Sequence, residues 1–370
     1  MKFVFFGLTI TSSWGNGHGT TYRSLLKALA ARGHRLQFVE NDVEWYRSNR
    51  DMPEPEFCSV ALYDDWAQDA RRLKALARDA DAIVIGSYFP DAVTATRELL
   101  EDGHETILFY DIDTPITIQR LRTDGRAEYL DPELIPHYAA YLSFTGGPIL
   151  REIESRFGSP WAVPFYCSVD ADAYKPRPVR KEFECALSYL GTYAKDRQPK
   201  LEILLNESAR LTPEQRFIVA GPQYPSEITW PKNVERIIHL SPPEHPTFYS
   251  SSRFTLNLTR DDMVAAGYSP SVRLFEASAC GAAILSDSWT GLDEFLTPGE
   301  EVLLPRDAQE VKAILEGMPE HDRLRMGQRA RQRILDQHTS VHRAAQFEEV
   351  VERCAARRTA QAQTVSSSSE

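Results

Sequence analysis

The chain has 370 residues, of which 42% are hydrophobic and 26% are charged. The length predicts about two domains of roughly 100–200 residues, and the composition is that of a globular protein with large buried cores. The net charge of −11 argues against nucleic acid or an anionic membrane surface as the main partner. No apolar run reaches the roughly 18 residues that a membrane span needs.

The cysteines also bear on location. They are five in number, scattered, and without a CxxC pair. This usage predicts a reducing, cytoplasmic environment and no zinc site. The apolar N-terminus MKFVFFGLTI is followed by a glycine-rich loop instead of a small-residue cleavage site, so we do not interpret it as a signal peptide.

Strands and helices alternate along the first half of the chain. The predicted strands are Phe3–Ile10, Arg35–Glu40, Ala82–Gly86, Thr106–Tyr110 and Ala139–Phe144. The predicted helices between them are Thr20–Ala31, Ala67–Arg78 and Ala92–Glu101. This alternation predicts an α/β architecture with a parallel sheet.

A second series of strands begins near Glu184. Its predicted strands are Glu184–Leu190, Arg216–Ala220, Thr255–Leu258 and Ala282–Ser286. Prolines between the two series predict a linker, so we place the boundary near residues 170–180. Residues 1–170 and 171–345 are then two Rossmann-like domains, and residues 361–370, which end in SSSSE, are a disordered tail.

Ligands of such domains bind at the C-terminal ends of the strands, and the loop Ser12–Thr21 follows the first strand. Its glycines Gly15, Gly17 and Gly19 let the backbone approach a ligand closely. His18 in the same loop is the residue type best suited to deprotonate a hydroxyl at neutral pH. The alternative for His18 is packing or capping in a tight turn.

The segment Gly267–Asp287, GYSPSVRLFEASACGAAILSD, places one carboxylate, Glu276, in a helix. Ser269 as the cap and Pro270 at the first position predict its start, and Gly281 predicts its end. Free N–H groups at the helix start suit a phosphate. Glu276 lies about two turns further on, where it is placed to accept both hydroxyls of a ribose.

This segment resembles the donor-nucleotide helix of GT-B glycosyltransferases, whose pattern is Glu-x7-Glu followed by an Ala-x-Ala-x-Gly-like run. Glu276 matches the second glutamate and Ala277–Gly281 match the run, whereas Tyr268 stands where the first glutamate is expected. With GLDEFLTPGEE at Gly291–Glu301, the segment is most similar to the CgeB-type, spore-maturation-like branch. The resemblance implies the GT-B fold, which has two facing Rossmann-like domains with a cleft between them.

The resemblance also implies how the two domains divide the work. The second domain binds a nucleotide-sugar, which is a substrate and not a cofactor, and the first binds an acceptor that is a saccharide, a protein or a small molecule. Glu276 is implied as the ribose ligand. The other implied donor residues are Ser271, Val272, Arg273, Arg260, Gly191, Thr192, Lys195, Arg197 and Gly221. No metal is implied.

Some of these donor residues have structural alternatives. Arg273 lies three residues before Glu276, which also predicts a salt bridge between them. For Lys195 and Arg197 the alternative is a solvated surface loop. Val169–Pro176 resembles the VD-x3-[FY]-x-P hinge of GT-B enzymes, and the helix at 346–360 is implied to pack back on the first domain.

A second candidate base lies in YDIDTP, where Asp111 and Asp113 spell the Asp-x-Asp pattern with which GT-A enzymes hold a metal. If the strand continues through them, both carboxylates face the same side. Because GT-B enzymes normally work without a structural metal, we favour Asp113 as an acceptor-side carboxylate and an alternative base to His18. Capping of the turn before Pro115 is the structural alternative.

Three other functions remain open from the sequence. Tyr268 in place of the first glutamate leaves open a protein that binds nucleotide-sugars without transferring them, and a sugar-nucleotide epimerase shares the fold. The glycine loop with Glu40 imitates the fingerprint of an NAD-dependent oxidoreductase, but the spacing of its glycines is wrong. The missing glutamate also leaves both inverting and retaining transfer open.

Overall fold

The computed structural model describes residues 1–15 and 17–367, the last seven of these by backbone alone. The chain forms two compact units. The first unit contains Met1–Tyr166 and the chain from Ser340 onward, and the second unit contains Cys167–Thr339.

The first unit alternates seven strands with seven helices in its described residues. Its strands are β1 (Lys2–Phe6), β2 (Arg35–Asn41), β3 (Ser59–Tyr63), β4 (Ala82–Gly86), β5 (Ile107–Asp111), β6 (Ala140–Ser143) and β7 (Ala162–Pro164). Its helices are α1 (His18–Ala31), α2 (Glu44–Arg47), α3 (Trp66–Ala77), α4 (Ala92–Glu101), α5 (Thr114–Thr123), α6 (Pro148–Ser155) and, at the end of the chain, α14 (Ser340–Ser367).

The first sheet is parallel throughout, with strand order β3-β2-β1-β4-β5-β6-β7. Its inner strands are continuous apolar runs, and the side chains of Phe3–Phe6 are fully buried, as expected for a parallel sheet covered on both faces. The strand order reverses between β1 and β4. Loops that leave β1 and β4 therefore diverge at their C-terminal ends and leave room for a ligand.

The second unit repeats this plan with six strands and seven helices. Its strands are β8 (Cys185–Leu190), β9 (Phe217–Ala220), β10 (Val234–Ile237), β11 (Ser252–Asn257), β12 (Ala283–Ser286) and β13 (Val302–Leu303). Its helices are α7 (Gln198–Leu201) and α8 (Ser208–Leu211), which are joined by the π-helical turn Glu202–Glu207, and α9 (His245–Ser251), α10 (Asp261–Ala266), α11 (Val272–Ala279), α12 (Ala308–Gly317) and α13 (Glu320–Gln337).

The second sheet is also parallel, in the order β10-β9-β8-β11-β12-β13. Its core includes the fully buried side chains of Leu187, Phe217, Phe254 and Leu256. The strand order reverses between β8 and β11, so the ligand edge of this unit is where those two strands end.

Most predicted elements of the sequence are present with shifted ends, but three expectations need correction. Strand β1 ends at Phe6, four residues before the predicted end, because the following loop turns to bind Glu40, as described below. Helix α11 begins at Val272, so Ser269 and Pro270 precede it, and Ser271 has the extended N-cap conformation. Strand β5 ends at Asp111, so the strand does not continue through Asp113, which was the condition for both carboxylates to face the same side.

Helix α14 packs on the first unit, where its Glu348 forms ion pairs with Arg32 and His34. Glu348 accepts hydrogen bonds from Arg32 at 2.5 Å and contacts His34 Nε2 at 2.5 Å. Those two hydrogen bonds lower the pKa of Glu348 to about 2, with that of Arg32 as the larger cause. The backbone of α14 continues through Ser367, where the sequence favours a disordered tail from residue 361, and residues 368–370 of that tail lie outside the described residues.

Candidate functional site

Arg273 forms hydrogen bonds to the ends of β8 and β11, the two central strands of the second unit. Its Nε donates to the carbonyl oxygen of Leu190, the last residue of β8, at 2.5 Å. Its Nη1 donates to Asn257 Oδ1, at the end of β11, at 3.2 Å. The guanidinium also stacks on the ring of Tyr189, 4.8 Å from its centroid. Arg273 therefore shapes the ligand edge of the second sheet.

Ser271 joins the same network at the start of α11. Its hydroxyl donates to Asn257 Oδ1 at 2.6 Å, and this hydroxyl makes no capping hydrogen bond to α11. The Asn257 amide in turn donates to Ser286 Oγ at the end of β12, at 2.9 Å. Asn257 was missed in the sequence, although a polar residue that closes an apolar strand, FTLN, is a usable signal.

Glu276 is buried on α11, with 8% of its surface exposed. Burial raises the pKa of its carboxyl to about 7, and this is opposed by a hydrogen bond with Tyr174 and by the charge of Arg273. Within the described residues, the salt bridge that the i,i+3 spacing allows between Arg273 and Glu276 is absent. A carboxylate without a salt-bridge partner, about one turn from Val272 at the helix start, retains the capacity to accept ligand hydroxyls.

Gly191 lies in a crowded loop after β8. A Cβ on this residue would lie 2.7 Å from Arg273 Nη2 and 2.8 Å from the hydroxyl of Tyr189. Gly221, after β9, has a φ of 145°, and a Cβ there would lie 2.1 Å from the carbonyl oxygen of Gly191. The backbone at Gly221 therefore leaves no room for a side chain, whereas the atoms nearest to Gly191 are the ends of two side chains that can shift.

The cations predicted for the diphosphate differ in their partners. Arg197 donates to the carbonyl oxygen of Thr192 at 2.6 Å, and Arg260 faces Asp196 at 3.5 Å. Lys195 makes no ion pair with any residue that the structure describes. Lys200 was not predicted as a site residue. Its Nζ lies 3.0 Å from Asp261 Oδ1 and 3.2 Å from Asp287 Oδ2.

In the first unit, the two candidate bases His18 and Asp113 lie side by side. His18 Nε2 is 3.9 Å from Asp113 Oδ2, and their side chains are 12% and 21% exposed. The imidazole packs edge-on against the ring of Tyr88, at 5.2 Å between centroids. Tyr88 follows β4 and has a φ of 64°. The pair thus lies where β1, β4 and β5 end, at the strand reversal of the first sheet.

Asp111 and Asp113 do not face the same side, which corrects the expectation from the Asp-x-Asp pattern. Asp111 is fully buried and accepts hydrogen bonds from Tyr141 at 2.5 Å and Thr117 at 2.9 Å. Burial raises its pKa to about 6. Asp113 lies beyond the strand at the N-cap position of α5, where its side chain makes no capping hydrogen bond. Only Asp113 is therefore placed to meet a ligand.

The glycine-rich loop depends on its glycines to different degrees. Gly15 has a φ of 69°, and a Cβ on Gly19 would lie 2.5 Å from the carbonyl oxygen of Ser12. Gly17 has an ordinary φ of −88° and open space around it. The beginning of the loop is fixed by Asp51, whose carboxylate accepts from the backbone and hydroxyl of Ser13.

Glu40 stands near the end of β2, but its carboxylate is already used by the fold. Its carboxylate is fully buried and accepts hydrogen bonds from Thr9 Oγ1, from the backbone N–H groups of Ile10 and Thr11, and from Thr11 Oγ1. These four bonds use both oxygens to hold the loop after β1. The residue that imitates the ribose acid of the oxidoreductase fingerprint is therefore structural.

Comparisons with known proteins agree with this architecture. A family model described as "Glycosyl transferase-like" matches residues 197–349. Sucrose-phosphate synthase from Thermosynechococcus elongatus is similar in structure, with a TM-score of 0.71 and 13% identity over 96% of this chain and 99% of that chain. HepE from Anabaena in complex with UDP-glucose has a TM-score of 0.70 and 13% identity over 95% and 99% of the two chains.

An alpha-glucosyltransferase in complex with UDP-glucose and DNA containing an abasic site is also similar. Its TM-score is 0.68 and its identity 12%, over 95% of this chain and 99% of that chain. A comparison with curated protein sequences finds no match. Among the helices of the described residues, none combines the length and hydropathy needed to cross a bilayer.

The structural relatives confirm the predicted GT-B fold class. The family match covers the segment that holds Arg260, Arg273 and Glu276. Together the fold and the family match support the prediction of a glycosyltransferase enzyme.

Proposed function

We propose that this protein transfers a sugar from a nucleotide-sugar donor to a hydroxyl or similar group of an acceptor. The observation that carries the proposal is the position of α11, which brings the buried Glu276 to the ligand edge of the second sheet. This helix lies within the segment that matches a glycosyl transferase-like family. Similar folds solved with UDP-glucose and with UDP support a nucleoside diphosphate as the carrier of the sugar.

In this proposal the donor is held entirely by the second unit. Glu276 accepts the two ribose hydroxyls, and the loop Gly191–Thr192 and the backbone at Gly221 line the nucleotide. Lys195, which makes no ion pair among the described residues, and Arg197 meet the leaving diphosphate. Their charge is effective in catalysis because negative charge on that group grows in the transition state. Arg273 acts indirectly, by holding the ends of β8 and β11.

The first unit supplies the acceptor side. His18 takes the proton of the acceptor hydroxyl while the acceptor oxygen bonds to the anomeric carbon and the bond from that carbon to the diphosphate breaks. Asp113, 3.9 Å from His18 Nε2, stabilises the imidazolium that forms. Asp113 as the base itself is the alternative within the same pair. This arrangement corresponds to inversion at the anomeric carbon.

Two finer assignments belong to the proposal. We assign the protein to the CgeB-type branch on the motifs GYSPSVRLFEA and GLDEFLTPGEE, and to the cytoplasm on its scattered free cysteines. We also propose that transfer is independent of metal, because cationic side chains are available for the diphosphate. Activity that survives an excess of EDTA tests this last point.

Nucleotide binding is the decisive experiment. Thermal unfolding of the wild type and of Glu276→Ala is measured with UDP, GDP, dTDP, ADP and NAD. A ligand at 100 times its Kd stabilises the folded state by about 2.7 kcal/mol, which is a clear rise in Tm. Stabilisation of the wild type alone by one nucleoside diphosphate supports the donor site. Stabilisation by NAD alone, or an equal response of both proteins, refutes it.

Binding of a nucleotide-sugar without transfer is the second candidate. The observation in its favour is Tyr268, which stands in place of the first glutamate, with a φ of 50° and its ring against Gly291. Release of nucleoside diphosphate from a bound nucleotide-sugar, measured with and without candidate acceptors, separates the two functions. A protein that binds the donor tightly and never releases the diphosphate is not a transferase.

A further inference from the structure

Tyr88 has a backbone conformation that few side chains adopt. Its φ is 64°, in the left-handed region, where a Cβ comes too close to the following carbonyl oxygen. The residue follows β4, and the N–H of Phe89 donates to the carbonyl oxygen of Gly86 at 3.2 Å, which closes the turn around it. Strained residues persist only where their surroundings fix them, and they cluster at functional sites. The strain at Tyr88 therefore points to a function.

The half-buried ring of Tyr88 lies between a buried tyrosine and the imidazole of His18. Its centroid is 4.6 Å from that of Tyr129, at an interplanar angle of 45°, and 5.2 Å from that of His18, at 86°. Offset and edge-to-face contacts are the arrangements that aromatic rings favour. Tyr129 is 2% exposed, and its hydroxyl lies 2.9 Å from Thr117 Oγ1 on α5. Tyr129 is thus anchored in the core and supports the ring of Tyr88.

Neither ring nitrogen of His18 forms a hydrogen bond with the residues that the structure describes. The Nδ1 atom is buried and has no partner there. The Nε2 atom is 3.9 Å from Asp113 Oδ2, which exceeds the length of a hydrogen bond. This leaves ring packing, of which the contact with Tyr88 is a part, to fix the orientation of the imidazole.

The cluster behind Tyr88 also fixes Asp113. Thr117, which meets the hydroxyl of Tyr129, donates to Asp111 Oδ1 at 2.9 Å. The same oxygen accepts the backbone N–H of Asp113 at 3.2 Å. A continuous path of contacts therefore runs from the imidazole of His18 through two tyrosine rings to the backbone of Asp113. It relates the two candidate bases to one anchor in the core.

We propose that Tyr88 is a positioning residue for catalysis: its ring holds the imidazole of His18 toward the acceptor hydroxyl. The proposal rests on the role of His18 as the base in the function proposed above. A different φ at Tyr88 would redirect its side chain, so the strained backbone is what brings the ring to His18. Misplacement of a reacting group by about 1 Å costs about 10²-fold in rate, which gives the expected size of the effect.

The first test measures the motion of the His18 ring and needs no substrate. NMR relaxation of 13C-labelled histidine rings is recorded on the full chain, with the His18 signal assigned by its loss in His18→Gln. Tyr88→Ala is expected to lower the order parameter of this ring from about 0.85 to below about 0.6, whereas Tyr88→Phe, which keeps an aromatic ring, leaves it unchanged. An unchanged order parameter in Tyr88→Ala overturns the proposal.

The second test is the release of UDP from UDP-glucose, the nucleotide-sugar bound in a similar structure, with water as the acceptor. Tyr88→Ala is expected to lower kcat by about 10²-fold and to leave KM unchanged, because the donor is bound by the second unit. Tyr88→Phe retains the wild-type kcat. The control Trp161→Ala also retains it, since this variant removes a half-buried ring that precedes β7, at the opposite edge of the sheet.

Tyr88→Gly separates the effect of the ring from that of the strain. Glycine adopts a positive φ readily, so Tyr88→Gly is expected to have a Tm about 2–4 °C above that of Tyr88→Ala, with the same loss of kcat. Recovery of the wild-type kcat in Tyr88→Gly, or a wild-type kcat in Tyr88→Ala, overturns the positioning role. A wild type that neither binds UDP, GDP, dTDP or ADP nor releases UDP refutes the proposed function, and with it the catalytic role of Tyr88. The order parameter then still reports whether Tyr88 holds the His18 ring.

Discussion

Glu276→Gln is expected to stabilise the protein without ligand at alkaline pH. Burial raises the pKa of this carboxyl from 4.5 to about 7, so the folded state holds the proton more tightly than the unfolded state. The stability that this group contributes is therefore full below about pH 4.5 and is lost as the pH rises through 7. Glutamine, which does not titrate, escapes that loss.

The size of the effect follows from the two pKa values. Their difference of about 2.5 corresponds to about 3 kcal/mol, at 1.36 kcal/mol for each pH unit. The free energy of unfolding of Glu276→Gln, relative to that of the wild type, is thus expected to be about 3 kcal/mol larger at pH 8.5 than at pH 4.5, which means a more stable variant at the higher pH. For a unit of this size, each kcal/mol raises Tm by roughly 2–4 °C.

Urea unfolding at the two pH values measures this difference. The control is Glu352→Gln on the exposed side of α14, which is expected to behave alike at both pH values. The same Glu276→Gln protein is expected to bind nucleoside diphosphates more weakly, because an amide is a poorer acceptor for two hydroxyls. An equal change in unfolding free energy at both pH values would contradict the burial of an ionisable carboxyl.

Three further predictions concern catalysis, the last helix and the glycines. His18→Ala is expected to lower kcat by about 10²–10⁴ with little change in donor Kd, and Asp113→Asn to lower it less if it only supports His18; a larger loss in Asp113→Asn would make Asp113 the base. Glu348→Gln is expected to destabilise the protein by about 1 kcal/mol at pH 7 and not at pH 2. The pKa of Glu348 is lowered to about 2 in the folded state, so the ionised carboxylate stabilises the fold at neutral pH and this stabilisation is lost as the pH falls to 2. A difference that persists at pH 2 would show that charge is not the cause. Gly221→Ala, with a φ of 145° and no room for a Cβ, is expected to lower Tm and weaken nucleotide binding, whereas Gly17→Ala, in open space, is neutral in thermal unfolding.

Local patterns predicted the framework well. Strand β4 and helix α4 have the same bounds in the sequence and in the structure, Ala82–Gly86 and Ala92–Glu101. An uninterrupted apolar run and an amphipathic repeat are signals carried by neighbouring residues, so they can be recognised without a fold. The edge strands β3 and β10 carry weaker signals, since their residues are partly exposed, and they were not predicted.

The sequence alone also placed the candidate site residues at strand ends, because the ends of apolar runs mark where loops begin. It could not decide what each side chain contacts. Arg273 and Glu276 are one turn apart, which predicts a salt bridge, yet the guanidinium of Arg273 donates to Leu190 and Asn257 instead.

Tertiary structure decided which polar groups are buried in the core and which lie at the candidate site. In the sequence Asp111 and Asp113 are equivalent members of one motif, but β5 ends between them, so Asp111 faces Tyr141 in the core and Asp113 faces His18. Burial, and with it the pKa of a carboxyl, depends on atoms brought from distant parts of the chain. The sequence therefore determined where in the chain the candidate site residues lie. The packing of distant residues around each of them determined its charge and its orientation.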